Sequence, residues 1–258
     1  MTTALIVPCA VAAKVEYMSP THYIDSNHPA IVDTVHTITA GARDARDKAV
    51  RIHDFVRDQV RFGWAPSFYD QKASDVLAAG VGFCNTKSTL FVALLRAAGI
   101  PARQHFVNIH AGILAGLINP GTPYVDHSFA EVWLAGTWWQ VDSYIVDRSL
   151  MTQAQARLAA ENRLLGYGVH RHGVSEWDGR SHAFSQLVND KSVPDLTTAD
   201  HGIYADVGEL YASGRGLNTL NIGARFLFGL FSRSANRRIE ALREAAPRLS
   251  HATLGSGA

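Results

Sequence analysis

Cys84 has the residue type and the local context of a catalytic nucleophile. It follows Gly80 and Gly82 and precedes an apolar helical pattern, which places it at the start of a helix. A thiol attacks as its thiolate, and the unpaired N–H groups at a helix N-terminus stabilise that negative charge. The same N–H groups can stabilise an oxyanion on the attacked carbonyl. We therefore predict a nucleophile at Cys84, with the two glycines giving a substrate backbone room to approach.

A downstream hairpin pattern supplies the base and the orienting acid that a thiolate nucleophile needs. Two strand patterns flank Ala135-Gly136, which has the composition of a tight turn. A two-residue turn would place Asp142 opposite Phe129, which has the same parity as His127. Both functional side chains would then leave the same face of the sheet, and a register shift of one residue would separate them.

Further patterns indicate the elements that position these residues. The clearest is a helix from about Asp44, whose stripe of Ala49, Ile52, Val56 and Val60 is typical of core packing. In chain order the other expected elements are a strand over 4–17, a short helix over 73–79, the helix after Cys84, a strand over 103–109, the hairpin, a helix over 152–165, a long loop over 166–205 and a helix over 222–246.

Length and composition are typical of a soluble globular protein. The 258 residues are 47% hydrophobic and 18% charged, with a formal net charge of +1. This balance provides no field that would gather polyanions, so nucleic acid is not an expected partner. No stretch approaches the roughly 20 apolar residues of a membrane span, so no membrane association is expected.

Cysteine content indicates a reducing compartment. Cys9 and Cys84 are too few for a disulfide framework, and a cytoplasmic location is expected. Cys9 is interpreted as a small hydrophobic residue. The opening segment around it lacks a positive charge ahead of its apolar run and is interpreted as a strand instead of a cleaved leader.

Three blocks of sequence resemble the transglutaminase-like superfamily. They are the nucleophile block at 80–87 and 94–103, the histidine strand at 127–134 and the aspartate strand at 138–142. The blocks follow the family's order and spacing and cover roughly residues 45 to 147. One departure is Ser143, where many relatives place proline, and we expect this to change the exit of the strand and not the chemistry.

The resemblance implies a papain-like α+β fold, with the cysteine helix packed on an antiparallel sheet or barrel. It also implies cofactor-independent acyl transfer through a thioester, with Cys84, His127 and Asp142 as the catalytic triad. The expected organisation is a catalytic core over 1–150, with motif blocks at 73–147. A mostly helical and loop extension over 151–258 is expected to pack on that core.

Several other residues could support this chemistry. Glu131 shares the strand face of His127 and could accept a hydrogen bond behind the triad, although a surface strand carboxylate explains it equally well. Candidates for the oxyanion site or the cleft wall are Trp64, Tyr69, Gln71 and Phe83. No phosphate loop or dinucleotide fingerprint is present, so no cofactor is expected.

Histidines are numerous enough to raise the possibility of a metal site. The candidates after the hairpin are His170, His172, His182 and His201. No carboxylate or cysteine falls at a recognised ligand spacing around them, and the segment has the composition of a loop. We therefore expect no metal site there.

The motifs define the attack on an acyl group but not its fate. Cys84 is expected to take the acyl group from an amide or thioester and pass it to water, an amine or another nucleophile. Protease, amidase, transglutaminase and acyltransferase activities all remain open.

An alternative is a biosynthetic acyltransferase or cyclase. It would take an acyl chain from a carrier-protein thioester and release it by amide formation or by a Dieckmann-type cyclisation. The apolar runs at 113–118 and 226–231 motivate this reading because either could line a cleft, although core packing explains both equally well. A second alternative is a catalytically silent protein-binding module, against which the joint retention of the three triad residue types argues.

Overall fold

A computed structural model describes residues 16–217 and 222–245. Cys9 and nearly all of the strand expected over 4–17 lie outside these residues. The elements are α1 (Pro29–Ile38), α2 (Ala45–Gln59), β1 (Arg61–Phe62), α3 (Ala73–Ala79), β2 (Val81–Gly82), α4 (Cys84–Ala97), β3 (Ala102–His110), β4 (Tyr124–Leu134), β5 (Thr137–Val141), α5 (Arg148–Ala160), β6 (Leu165–Gly166), β7 (Val169–His170), β8 (Thr197–Tyr204), α6 (Val207–Ala212) and α7 (Ile222–Arg243), with a 3-10 turn at Ala111–Leu114. The α+β class is confirmed.

The central sheet contains four antiparallel strands in the order β5-β4-β3-β8. Strands β4 and β5 form the expected hairpin, in which Leu134 pairs with Thr137 around the Ala135-Gly136 turn. Both turn residues have positive φ, 51° and 89°, as a two-residue turn of type I′ requires. This pairing, extended by one residue, places Asp142 opposite Phe129. The predicted register is therefore confirmed.

Helix α4 is almost completely buried between the sheet and helices α1, α2 and α3. Most of its polar side chains are paired internally, as burial demands, whereas the buried Asn85 Nδ2 has no hydrogen-bond partner among the described residues. Ser88 Oγ lies 2.6 Å from Tyr144 Oη, and Gln104 Nε2 donates to Asn85 O and to Ser128 Oγ, both at 3.0 Å. These bonds fix the cysteine helix relative to β3 and β4.

A buried lysine, Lys87, joins α4 to the end of α2. Lys87 Nζ donates to Val60 O at 2.6 Å and to Arg57 O at 3.3 Å. Burial lowers its pKa to about 7. The lysine therefore donates hydrogen bonds to carbonyl groups that have no intrahelical partner at the end of α2.

The prediction of a long loop over 166–205 was wrong, because this region contains the strands β6, β7 and β8. Strand β8 pairs with the outer side of β3, where Ile203 lies opposite His105. Its sequence is mostly polar and partly exposed, so it lacks the apolar alternation by which strands are recognised. Pairing with β3, and not local pattern, determines this strand.

Residues beyond 150 contact the earlier part of the chain at several points. Asn236 on α7 donates to Trp64 O and accepts from Trp64 N–H, both at 2.9 Å. Arg243 Nη2 lies 2.6 Å from Asp147 Oδ2. Within the described ranges, no helix combines the length and the apolar character that crossing a membrane requires.

Candidate active site

Helix α4 begins at Cys84, in agreement with the sequence prediction. The residue before it is Phe83, whose side chain offers the first-turn N–H groups no oxygen acceptor. Cys84 is partly exposed, and its Sγ lies 3.8 Å from the backbone oxygen of Asp126. The thiol therefore lies beside the β4 segment that carries His127.

His127 and Asp142 meet across the hairpin. His127 Nε2 lies 3.3 Å from Asp142 Oδ2, and both side chains are completely buried. This contact has the distance of an ion pair, although among the described residues neither ring nitrogen makes a hydrogen bond of standard geometry. The same-face arrangement expected from the register is present.

The imidazole of His127 is positioned to carry a positive charge. Burial lowers its pKa, but the Asp142 carboxylate and the Cys84 thiol both raise it and outweigh burial, so the pKa of His127 is about 9. An imidazolium next to a thiol favours the thiolate, which is the attacking form.

Asp142 is held by residues that the sequence analysis did not identify. Its Oδ1 accepts hydrogen bonds from Ser185 N–H, from Ser185 Oγ at 3.0 Å and from Gln186 N–H at 3.3 Å. Its Oδ2 accepts from Leu187 N–H at 3.0 Å. Three successive backbone amides and one hydroxyl thus orient the carboxylate that faces His127. Backbone amides give no signal in a sequence, so only the serine side chain offered a clue.

A cavity of about 400 Å³ opens at Cys84, and we call it the Cys84 cavity. Both Cys84 and His127 line it, so the thiol and the imidazole face the same space. Most of the other described lining residues are apolar. Besides Cys84 and His127, the polar residues of the described lining are Asn119, Thr122, Asp126 and Gln186.

Comparisons with known proteins identify the central part of the chain. Residues 32–143 match the family model described as the transglutaminase-like superfamily. These residues belong to that superfamily. The transglutaminase-like segment contains Cys84, His127 and Asp142 and ends one residue after Asp142.

Two solved structures resemble parts of the chain. A proposed cysteine protease from Cytophaga hutchinsonii is 20% identical with a TM-score of 0.42, over 52% of this chain and 43% of that one. A proposed protease from Parabacteroides distasonis is 14% identical with a TM-score of 0.35, over 49% of this chain and 26% of that one. This chain spans less than half the length of either protein. A search of curated protein sequences found no significant match.

The glycines of the transglutaminase-like segment have a structural role that differs from the expected one. Gly80 ends α3 in the left-handed conformation, at φ 62°. A Cβ at Gly82 would lie 2.8 Å from Thr86 Oγ1 and 2.9 Å from Lys87 Cγ. Gly82 is therefore required by side chains of α4 itself, and substrate access does not explain it.

The four candidates for the oxyanion site or cleft wall divide into two pairs. Trp64 and Phe83 line the Cys84 cavity, whereas Tyr69 and Gln71 are absent from its described lining. Tyr69 stacks on Tyr211, with ring centroids 3.9 Å apart. Gln71 is buried, and its Oε1 has no hydrogen-bond partner among the described residues.

Glu131 lies in a different network from the one expected. It shares the strand face of His127, but its carboxylate accepts from Arg103 Nε at 2.6 Å, from His105 Nδ1 at 3.0 Å and from Gln140 Nε2 at 3.2 Å. The contacts with Arg103, His105 and Gln140 outweigh burial and lower the pKa of Glu131 to about 2. The neighbouring strands supply these partners, so Glu131 fixes the sheet and does not contact the triad.

The four histidines after the hairpin fall into three separate environments. His170 and His172 face Asp190 at 3.7 and 4.0 Å, while His201 Nε2 lies 2.8 Å from Asn108 Oδ1. His182 accepts a hydrogen bond from the backbone N–H of Gln140. In the part of the chain that the structure describes, no three His, Cys, Asp or Glu side chains are grouped to hold a metal ion.

Proposed function

We propose that this protein is a cysteine-dependent acyl-transfer enzyme that forms a thioester on Cys84. The carrying observation is the position of His127, which lies 3.3 Å from Asp142 and faces the same cavity as the Cys84 thiol. This arrangement supports a cysteine catalytic triad in which Cys84 is the nucleophile, His127 carries the proton and Asp142 orients the imidazole.

In the proposed reaction the Cys84 thiolate attacks the carbonyl carbon of an amide or a thioester. The tetrahedral intermediate collapses by breaking the C–N or C–S bond, and the His127 imidazolium gives its proton to the leaving amine or thiolate. Asp142 holds the imidazole throughout. The acyl group then passes from Cys84 to water, an amine or another nucleophile, which His127 deprotonates.

The oxyanion is proposed to bind at the start of α4. First-turn N–H groups of a helix have no intrahelical partner, and Phe83 provides no side-chain cap for them. Trp64 and Phe83 form the adjoining wall of the Cys84 cavity and would position the substrate. The cytoplasm is the proposed location, because a nucleophilic thiol is kept reduced there.

A carrier-bound thioester is the second candidate donor. Ile113, Leu114 and Ile118 from one apolar run, and Phe228 and Phe231 from the other, all line the Cys84 cavity. Both runs that motivated the biosynthetic alternative are therefore available to an apolar acyl chain. An acyl carrier protein is the corresponding partner under this proposal.

Acylation of Cys84 tests the proposed function directly. The full chain would be incubated with an N-acetylcysteamine acyl thioester and, separately, with a peptide amide, and the protein analysed by intact mass. We expect an acyl adduct that Cys84→Ala abolishes and His127→Ala slows by at least about a hundredfold. Cys9→Ser is the matched control, because Cys9 is the only other cysteine, and it should retain the adduct.

The absence of any adduct in the wild-type protein with either substrate class would contradict the proposal. An adduct that survives Cys84→Ala would also contradict it. Such a result would favour the silent binding module.

A further inference from the structure

The Cys84 cavity has a wall of stacked aromatic rings. Phe68 lies parallel to Phe83, with ring centroids 5.2 Å apart and an interplanar angle of 9°. Phe228 on α7 packs against Phe68 at 4.6 Å and against Phe231 at 5.6 Å. This wall therefore joins the residue that precedes Cys84 to α7, which lies outside the transglutaminase-like segment.

A second group of lining residues is aliphatic. Ile109 is the last but one residue of β3, Val125 is the second residue of β4, and Ile113, Leu114 and Ile118 belong to the connection between these strands. Ile113 is almost fully buried, at 1% exposure, so its side chain is held in place. With a volume of about 400 Å³, the Cys84 cavity falls within the range of about 300–1,000 Å³ that is usual for small-molecule sites.

The charged groups among the described lining residues are already paired within the protein. None of the described lining residues is a lysine or an arginine. The carboxylate of Asp126 is occupied, because it accepts hydrogen bonds from Tyr211 Oη and from Leu217 N–H, each at 2.9 Å. The His127 imidazolium also lines the cavity, but it is already paired with Asp142 at 3.3 Å. An ionised substrate group would therefore lose its hydration in the Cys84 cavity without gaining an uncommitted partner.

We propose that the Cys84 cavity binds the acyl group itself and that this group is a neutral, hydrophobic chain. The proposal rests on the proposed function and adds the substrate class. The donor thioester exchanges with Cys84: a new C–S bond forms to Sγ, the donor C–S bond breaks, and the leaving thiolate takes its proton from His127. The chain then occupies the space between the aromatic and aliphatic residues. The neutral side chains of Asn119, Thr122 and Gln186 can bind the polar end of the donor.

A series of N-acetylcysteamine thioesters tests this substrate class. Acetyl, butyryl, hexanoyl, octanoyl and dodecanoyl donors would be compared by the rate of adduct formation on Cys84. Each methylene that enters the cavity should raise kcat/KM about fourfold, until the cavity is filled. Suberyl thioester, which is octanoyl with a terminal carboxylate, should react at least about tenfold more slowly than octanoyl.

Cavity variants make the test specific to this site. Ile113→Ala should move the preferred chain toward greater length, and Ile31→Ala is the matched control, because Ile31 is a fully buried isoleucine on α1 that does not line the cavity. If Ile113→Ala unfolds, Ile118→Trp at a partly buried lining position should shift the preference toward shorter chains.

The outcomes separate the two proposals. Rates that do not depend on chain length, or a suberyl donor as fast as octanoyl, would overturn the hydrophobic substrate class while leaving acyl transfer intact. Failure of every donor, acetyl and peptide amide included, would overturn the proposed function and the substrate class with it.

Discussion

Ser143 Oγ lies 2.8 Å from His53 Nε2, and this buried contact ties the residue after Asp142 to helix α2. His53 Nδ1 lies 3.0 Å from Asp54 Oδ1, so the imidazole is held from both sides. The Ser143 N–H donates to Ala183 O at 3.2 Å. Where many members of the superfamily are expected to have proline, this protein thus uses both a backbone N–H and a hydroxyl to direct the chain away from Asp142.

Replacing Ser143 by proline should destabilise this protein. Ser143→Pro removes the N–H donor and the hydroxyl and leaves His53 Nε2 buried without its partner, which should cost roughly 3 kcal/mol of unfolding free energy. Ser143→Ala removes only the hydroxyl and should cost about 1–2 kcal/mol. Urea unfolding measures both changes.

Ser67→Ala provides the control, because Ser67 is exposed, and its effect should stay within about 0.5 kcal/mol. If Ser143→Pro were as stable as the wild type, the contact between Ser143 and His53 would contribute nothing to stability.

Asp142→Asn should lower the pKa of His127 from its value of about 9, because the carboxylate is one of the groups that raise it. NMR titration of the imidazole in both proteins measures the shift. The change should also cost roughly 2–3 kcal/mol of stability. Hydrogen-bond donors face both oxygens of Asp142, and the NH₂ group of an asparagine cannot accept a hydrogen bond from them. These donors belong to Ser185, Gln186, Leu187 and His127.

Ser185→Ala is a milder variant for comparison, because it removes only the hydroxyl donor to Asp142 and keeps the carboxylate. We expect a loss of about 1 kcal/mol and a slower acylation of Cys84, with a smaller effect on both than Asp142→Asn produces. An unchanged His127 titration in Asp142→Asn would show that Asp142 does not control this imidazole.

Acid should destabilise the fold at unusually mild pH through His53. Burial lowers the pKa of His53 and outweighs the opposing effect of Asp54. In the unfolded chain a histidine takes up its proton near pH 6.5, whereas folded His53 stays neutral below that value. The unfolded state therefore binds more protons, so stability is present above pH 6.5 and is lost as the pH falls.

The expected slope from His53 is at most about 1.4 kcal/mol per pH unit between pH 6.5 and 5. His170, whose pKa is also lowered by burial, adds in the same direction. Urea unfolding of the wild type and of His53→Gln across this range provides the measurement. Equal slopes in the two proteins would mean that His53 gains its proton in the folded state as readily as in the unfolded chain.

Local sequence pattern was sufficient for the parts of the site that lie on adjacent elements. The start of α4 follows from Gly80, Gly82 and the apolar periodicity after Cys84. The meeting of His127 and Asp142 follows from a two-residue turn and strand parity alone. These features depend on short-range geometry, which residue order determines.

Long-range contacts could not be predicted in the same way. The amides of residues 185–187 reach Asp142 from more than forty positions away, and every non-proline residue has such an amide. Strand β8 is polar and depends on β3 for its pairing. The partners of Glu131 were missed because they depend on which strands lie beside it.

Because residues 185–187 anchor Asp142, the segment that matches the superfamily is shorter than the part of the chain that the proposed chemistry needs. A shortened protein that kept the whole superfamily match but stopped before Ser185 would retain the proposed nucleophile, base and acid. It would nevertheless leave Asp142 without the amides that hold it and β3 without β8 at its edge. Sequence similarity therefore gives too small a boundary for engineering this protein. Transplanting its chemistry into another scaffold would require two separate stretches of chain.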